Sequence, residues 1–235
     1  MPQRLWKRGD ARDVQVMLGT NTDEGVLFVY PYNPLGIIGV TAWEQFVAQD
    51  TNSHDPVQTL NTTALARVRE LYNPGAFDNR AQASAVVTDS TFLCGSQFVA
   101  RQQHAAGGSG AASYLYRFDH RAPCLSAFDL VEPGVFHTLE LPFVFGTPLS
   151  ADCLLTPAED AFVGLMGGLW TSFAKTGKPS WPGAKEWPAY SDDRENIVLR
   201  TVGQGGLQVE KDYRSTYCKF WDSVWYDGLP PTAAK

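Results

Sequence analysis

The sequence lacks the surplus of basic residues that proteins binding nucleic acids usually carry. Its 19 Lys and Arg are outnumbered by 25 Asp and Glu, and the formal net charge is −6. We therefore expect no nucleic-acid partner, and no basic run suits an anionic membrane surface. The most apolar stretch, residues 161–174, is shorter than the roughly 18 residues that a membrane-spanning helix needs, so we expect no transmembrane segment.

The sequence also lacks a signal peptide and the cysteine spacing of a metal or redox site. The first ten residues are charged and have no apolar core, so they do not form a signal peptide. The chain has four cysteines, and no pair has the CxxC spacing typical of zinc or thioredoxin sites. We therefore expect neither a metal nor another cofactor. The cysteines are Cys94, Cys124, Cys153 and Cys218.

The cysteines nevertheless favour an oxidising compartment. An even number of widely spaced cysteines fits two disulfides, and four buried free thiols are the alternative. The sequon Asn61-Thr62-Thr63 predicts glycosylation of Asn61, which is typical of secreted proteins. These features indicate an extracellular or secretory location, in conflict with the missing signal peptide.

The chain does contain enough apolar material for a substantial core, with 235 residues of which 44% are hydrophobic. A single folded unit of this size buries roughly 70% of the surface of its unfolded chain. The periodicity of apolar residues predicts alternating strands and helices, which is typical of the α/β class. The predicted strands cover residues 14–18, 113–118, 197–200 and 207–210. The predicted helices cover residues 41–49, 62–72, 82–104, 156–175 and 213–226.

Several motifs occur in an order that resembles one protein family. The segment 19–25 reads Gly-Thr-Asn-Thr-Asp-Glu-Gly, and 136–146 reads Phe-His-Thr-Leu-Glu-Leu-Pro-Phe-Val-Phe-Gly. Further matches lie at 114–118, 170–179, 187–190 and 218–221. Together they resemble the type B carboxylesterase and cholinesterase family over nearly the whole chain. The resemblance implies an α/β-hydrolase fold, of which residues 1–235 would form the C-terminal portion: the last core strands, their packing helices and an incomplete sheet.

The resemblance also implies roles for individual residues. Glu24 would be the acid and His137 the base of a Ser-Glu-His triad, and Glu140 would support the loop of the base by hydrogen bonding. Asp23 is interpreted as an ordinary solvated acid. The other histidines, His54, His104 and His120, are interpreted as structural or merely exposed. The family pattern implies a disulfide between Cys94 and Cys218, which leaves Cys124 and Cys153 to pair with each other.

The nucleophile is missing from the sequence. No G-x-S-x-G motif occurs, and the nearest match, Gly107-Gly108-Ser109-Gly110-Ala111, lacks the final glycine and lies between a helix and a strand. Ser109 also follows Glu24, whereas the family order places the serine before the acid, so we reject it. We expect the chain to be the C-terminal half of an esterase, inactive alone, with a small-molecule ester as the substrate of the complete protein. The missing N-terminal half of the domain would carry the serine and the signal peptide.

The residues near the expected site also bear on the substrate and on alternative functions. Leu27 stands where cholinesterases carry an aromatic residue that binds quaternary ammonium groups, which argues against choline esters. A non-catalytic cholinesterase-like adhesion or binding protein is one alternative function, and a stand-alone truncated binding product is another. The presence of both Glu24 and His137 favours the enzyme.

Overall fold

A four-stranded sheet forms the centre of the computed structural model, which describes residues 6, 8–11, 13–30, 36–54, 60–107, 112–124, 134–148 and 153–225. Within 50–54 only the backbone is described. The strands lie side by side in chain order. Strands β1, β2 and β3 are parallel, and β4 runs antiparallel to β3. Their bounds are β1 Val16–Asn21, β2 Ser113–Phe118, β3 Glu195–Leu199 and β4 Gln208–Lys211.

Helices cover both faces of this sheet. A π-helical turn, called the π turn below, spans Thr88–Leu93 and joins two of the helices into one long segment. The helices are α1 Val26–Val29, α2 Val40–His54, α3 Thr62–Tyr72, α4 Arg80–Val87, α5 Cys94–Ala105, α6 Leu141–Phe145, α7 Pro157–Thr176 and α8 Ser215–Trp225. None of the helices among the described residues is long and apolar enough to cross a membrane.

The alternation of side chains along β2 explains why the sheet is covered on both faces. Tyr114 and Phe118 enter a cluster with helices α6 and α7, whereas Leu115 packs on the opposite face against Ala100 of α5. A period of two along a strand places alternate side chains on opposite faces. A second large cluster joins α2, α3, α4 and α8 around Trp43, Val68 and Trp221. The α/β class predicted from the sequence is confirmed.

The observed sheet has an open edge at β1, as expected for part of a larger sheet. Among the described residues, β1 pairs only with β2, in a register that runs from Val16 opposite Ser113 to Asn21 opposite Phe118. The other side of β1 therefore presents backbone groups without a strand partner in the described part of the chain. Such an open edge is the place where a further strand would extend a sheet.

Several predicted elements differ from the observed ones. The first strand lies two to three residues later than predicted, because its backbone pairing with β2 continues to Asn21. The helix predicted over 82–104 starts at Arg80 and is interrupted by the π turn. The terminal helix starts at Ser215, and residue 226 lies outside the described residues. The short helices α1 and α6 were not predicted, since four or five residues are too few to show a helical period.

The helix start predicted at Thr156 is confirmed. The hydroxyl of Thr156 accepts a hydrogen bond from the backbone N–H of Glu159, and the Glu159 carboxylate accepts one from the backbone N–H of Thr156. This reciprocal capping satisfies two groups that the first turn of α7 would otherwise leave without partners. Asn73, in the left-handed conformation, ends α3 as the sequence predicts.

Two disulfides are present, which confirms the expectation of disulfides over free thiols. Cys94 is joined to Cys218, and Cys124 to Cys153. The first bond connects residues 124 apart and ties α5 to α8. In the chain-entropy description, closing so large a loop raises the free energy of unfolding by about 4–5 kcal/mol.

Candidate active site

The acid loop, residues 22–25, lies at the end of strand β1. The carboxyl ends of parallel strands meet at one edge of a sheet, where α/β proteins place their sites. The loop turns directly into helix α1 and packs closely on α4. A Cβ on Gly25 would lie 2.1 Å from the carbonyl oxygen of Ser84, so only glycine allows this approach. The backbone N–H of Gly25 also donates a hydrogen bond of 2.9 Å to the Thr88 hydroxyl.

Glu24 and His137 meet at this edge of the sheet. The Nδ1–H of His137 donates a hydrogen bond of 2.6 Å to Oε2 of Glu24. The other oxygen, Oε1, accepts a hydrogen bond of 2.7 Å from the backbone N–H of Asn21. Glu24 is only 5% exposed, whereas the His137 side chain remains 37% exposed. The pair therefore combines a buried carboxylate, satisfied at both oxygens, with an imidazole that solvent or a substrate can reach.

Burial governs the ionisation of Glu24. Removal of the carboxylate from water raises the pKa of Glu24 above its ordinary value, and the hydrogen bonds from Asn21 and His137 offset only part of this effect. A carboxylate shielded from water interacts more strongly with a neighbouring positive charge. Glu24 is thus suited to stabilise an imidazolium at His137.

Asp23 is not an ordinary solvated acid, so that interpretation was wrong. Its backbone N–H donates to the carbonyl of Val135, and its Oδ2 accepts a hydrogen bond of 2.8 Å from the backbone N–H of Val135. Burial raises the pKa of Asp23 as well. Two hydrogen bonds to one residue fix the base loop, residues 134–140, against the acid loop. Asp23 therefore holds the loop that carries His137 beside the acid loop.

Asn21 links the two loops a second time, and the sequence analysis missed it. Its Nδ2 donates hydrogen bonds to the carbonyl of Phe136 and, at 2.6 Å, to Oε2 of Glu140. Glu140 thus lies where hydrogen bonding can support the base loop, although its effect on His137 remains a prediction. A polar side chain at the end of a buried strand, three residues before an acid, was the signal that could have identified Asn21.

Two phenylalanine rings pack against the imidazole. The ring centroids of Phe28 and Phe92 lie 5.4 Å and 5.0 Å from that of His137, and 5.7 Å from each other. Phe28 is 38% exposed and the adjacent Leu27 is 40% exposed. The candidate site therefore has an apolar wall on the side of the base.

The residue after the base is held in a strained conformation. Thr138 has φ 72°, in the left-handed region that β-branched residues rarely adopt. Such a conformation costs about 1–3 kcal/mol and persists only where the surroundings enforce it. Here the hydrogen bonds of Asp23 and Asn21 hold the chain on the N-terminal side of Thr138, and helix α6 begins just after it.

The remaining predicted residues lie apart from this pair. His120 is buried and donates to Glu159 at 2.9 Å, and His104 lies 3.3 Å from Asp192. Asn61 caps helix α3, where its side chain accepts a hydrogen bond from the N–H of Ala64. Ser109 and the side chain of His54 lie outside the described residues. Within the described part of the chain, no group of three or more His, Cys, Asp or Glu is placed to hold a metal ion.

Chemically, the arrangement provides a proton acceptor with a fixed orientation. Because Nδ1–H is donated to Glu24, the neutral ring keeps its lone pair on Nε2. That nitrogen can accept a proton and return it, while Glu24 stabilises the charge formed in between. Among the described residues, the imidazole has no hydrogen bond besides that to Glu24.

Comparisons with known proteins give a consistent result. A family model described as the carboxylesterase family matches residues 1–221. The acetylcholinesterase of Electrophorus electricus is 28% identical over 263 aligned positions, which cover 94% of this chain and 40% of that protein. The acetylcholinesterases of Danio rerio and Bungarus fasciatus are 25% and 27% identical, with 40% and 36% of their lengths covered. The chain therefore spans at most about two fifths of the length of these relatives.

The contact between the two loops predicts the effect of a substitution at Gly134. A Cβ at this position would lie 2.3 Å from Oδ2 of Asp23, and Gly134 has φ +55°. Gly183 also has a positive φ, +76°, but its Cβ would meet nothing within 4 Å. We expect Gly134→Ala to lower the free energy of unfolding by about 1–3 kcal/mol more than Gly183→Ala, because it adds overpacking to the same backbone strain. Urea unfolding measures both losses, and equal losses in the two variants would contradict the close contact between Gly134 and Asp23.

Proposed function

Because the chain belongs to the carboxylesterase family, we propose that it supplies the acid and the base of a serine carboxylic-ester hydrolase. The observation that carries the proposal is the 2.6 Å hydrogen bond between His137 and the buried carboxylate of Glu24. In this function residues 1–235 are part of one carboxylesterase domain. Glu24 orients the base, and His137 transfers the protons.

The proposed reaction proceeds in two acyl-transfer steps. Nε2 of His137 removes the proton from a serine hydroxyl as its oxygen attacks the ester carbonyl. The resulting imidazolium, stabilised by Glu24, then gives this proton to the leaving alkoxide, and the alcohol departs from an acyl-serine. In the second step His137 takes a proton from water, the hydroxide oxygen attacks the acyl-serine, and the proton returns to the serine. The carboxylic acid is released.

We propose that the serine and the oxyanion donors come from a polypeptide segment outside these 235 residues. No G-x-S-x-G motif occurs in the sequence, and the chain spans only about 40% of the relatives' length. Two structural features support this proposal. The outer edge of β1 has no strand partner among the described residues, and the buried Oδ1 of Asn21, at the end of β1, has no hydrogen-bond partner in the described part of the chain. The chain alone is expected to be inactive.

The expected substrate is a small-molecule ester. Leu27, at 40% exposure beside the candidate site, offers no aromatic face to a quaternary ammonium group. The rings of Phe28 and Phe92 give the site apolar surface that a hydrocarbon group of the ester could contact. A non-catalytic binding function is the second candidate, because the 235 residues contain no nucleophile motif. The assembled Glu24–His137 pair favours hydrolysis.

Reaction with a serine-directed fluorophosphonate tests the function. We expect this chain alone not to be labelled, since it offers no activated serine. A longer polypeptide in which these residues follow a G-x-S-x-G segment should be labelled, and His137→Ala in that polypeptide should abolish labelling whereas His104→Ala should not. Labelling of the isolated chain would contradict the assignment of the nucleophile to another segment. Equal labelling of both histidine variants would contradict the role of His137.

We also propose that the protein passes through the secretory pathway and carries a glycan on Asn61. The two disulfides favour an oxidising compartment. Asn61 is exposed, and its Oδ1 caps α3. The cap uses only the oxygen, so Nδ2 stays available for a sugar.

Enzymatic removal of N-glycans tests this site. After expression in a eukaryotic secretory pathway, peptide N-glycosidase should lower the mass of the protein. Thr63→Ala, which destroys the sequon, should abolish the mass change, whereas Thr62→Ala should preserve it. An unchanged mass for the unmodified sequence would show that Asn61 carries no glycan.

A further inference from the structure

The π turn contacts the acid loop at Gly25 and the base His137. It lies between α4 and α5, and its two ends carry Thr88 and Phe92. π-Helical turns are rare and occur frequently at functional sites. Residues four apart on a helix share one face, so Thr88 and Phe92 can both point toward the acid and base loops.

At one end of the turn, Thr88 holds the acid loop. Its hydroxyl donates a hydrogen bond of 2.9 Å to the carbonyl of Ser84 and accepts one of 2.9 Å from the backbone N–H of Gly25. Thr88 is buried. Because Gly25 follows Glu24 directly, this contact limits the positions that the Glu24 backbone can adopt.

At the other end, Phe92 packs against the base. The centroid of its ring lies 5.0 Å from the imidazole of His137, and Phe28 completes a group of three rings in mutual contact. The imidazole has only one hydrogen bond among the described residues, to Glu24. Ring packing therefore restricts the rotation of the imidazole about its side-chain bonds in addition to this hydrogen bond.

The turn itself is anchored on the opposite side. Asp89, fully buried, accepts a hydrogen bond of 2.6 Å from the Tyr72 hydroxyl and one of 2.6 Å from Nε of Arg214. Trp221 donates to the same tyrosine hydroxyl. These contacts fix the turn to helices α3 and α8, so Thr88 and Phe92 are presented from a rigid support.

We propose that Phe92 is a positioning residue, which restricts the His137 ring so that Nδ1 stays on Glu24 and Nε2 faces the reacting groups. The π turn thereby couples the acid loop, through Thr88, to the base, through Phe92. The value of this positioning for catalysis rests on the proposed esterase function. The packing itself does not, and it is testable in this chain alone.

Acylation of histidines by diethyl pyrocarbonate tests the proposal. An unprotonated imidazole nitrogen attacks a carbonyl carbon of the reagent and displaces monoethyl carbonate. Peptide mass spectrometry then separates His137 from the other histidines. We expect Phe92→Leu to raise the rate at His137 at least threefold, because the smaller side chain exposes and frees the ring. Phe92→Tyr, which keeps a ring in contact, should stay within twofold of the original rate. His104, on another part of the surface, should react equally in all variants.

Two further variants keep the test decisive. Phe77→Leu removes a highly exposed phenylalanine far from the π turn in sequence and should leave the rate at His137 unchanged. If the circular dichroism spectrum of Phe92→Leu shows that this variant does not fold, a second variant takes its place. Phe28→Leu, which removes the other ring from the partly exposed helix α1, should raise the acylation rate of His137 in the same way. An unchanged rate at His137 in a folded Phe92→Leu or Phe28→Leu variant would overturn the proposal. A raised acylation rate at His137 in these variants would support the positioning role of Phe92. If the longer polypeptide is then not labelled by the fluorophosphonate, the positioning role would stand and the proposed esterase function would be rejected.

Discussion

The hydrogen bond between Glu24 and His137 joins two loops that lie 113 residues apart in the sequence. A buried carboxylate is stable only when its oxygens have partners, and here the partners come from Asn21 and His137. The contacts around Glu24 and His137 keep these partners in place. Asp23 fixes Val135 of the base loop, and the π turn holds Gly25 and packs on the imidazole. Displacement of either loop would leave Glu24 buried without its proton donor.

The same constraint recurs elsewhere in the fold. Two further buried carboxylates are each paired with a basic side chain from a distant segment. Glu159 pairs with His120 at the start of α7, and Asp89 pairs with Arg214 near the start of α8. Close to the second pair in sequence, the disulfide between Cys94 and Cys218 joins helix α5, which follows the π turn, to helix α8. A chain with few charges thus places several of them inside, where each specifies which segments must meet.

The sequence predicts what is local and misses what depends on distant contacts. The alternation of residues 113–118 and the capping pattern at Thr156 are visible in a few consecutive residues, and both occur as predicted. The family motifs identify Glu24 and His137 as a candidate pair, and the structure brings them together. The roles of Asp23 and Asn21 depend on the backbone of the base loop more than 110 residues away, which no local pattern contains. The anchoring of the π turn escaped prediction for a similar reason, since Asp89 is bound by Arg214, 125 residues away in the sequence.

The central claim is that Glu24 determines which ring nitrogen of the neutral His137 carries the proton, and imidazole nitrogen NMR of this chain tests it most directly. In the neutral ring, the claim predicts a proton on Nδ1 and a free lone pair on Nε2 of His137. In Glu24→Gln the amide N–H would face Nδ1, so the proton should move to Nε2. Glu186→Gln, which changes an exposed carboxylate elsewhere on the surface, should leave the proton on Nδ1. A His137 that carries its proton on Nε2 in the unmodified chain, or one unaffected by Glu24→Gln, would contradict the account.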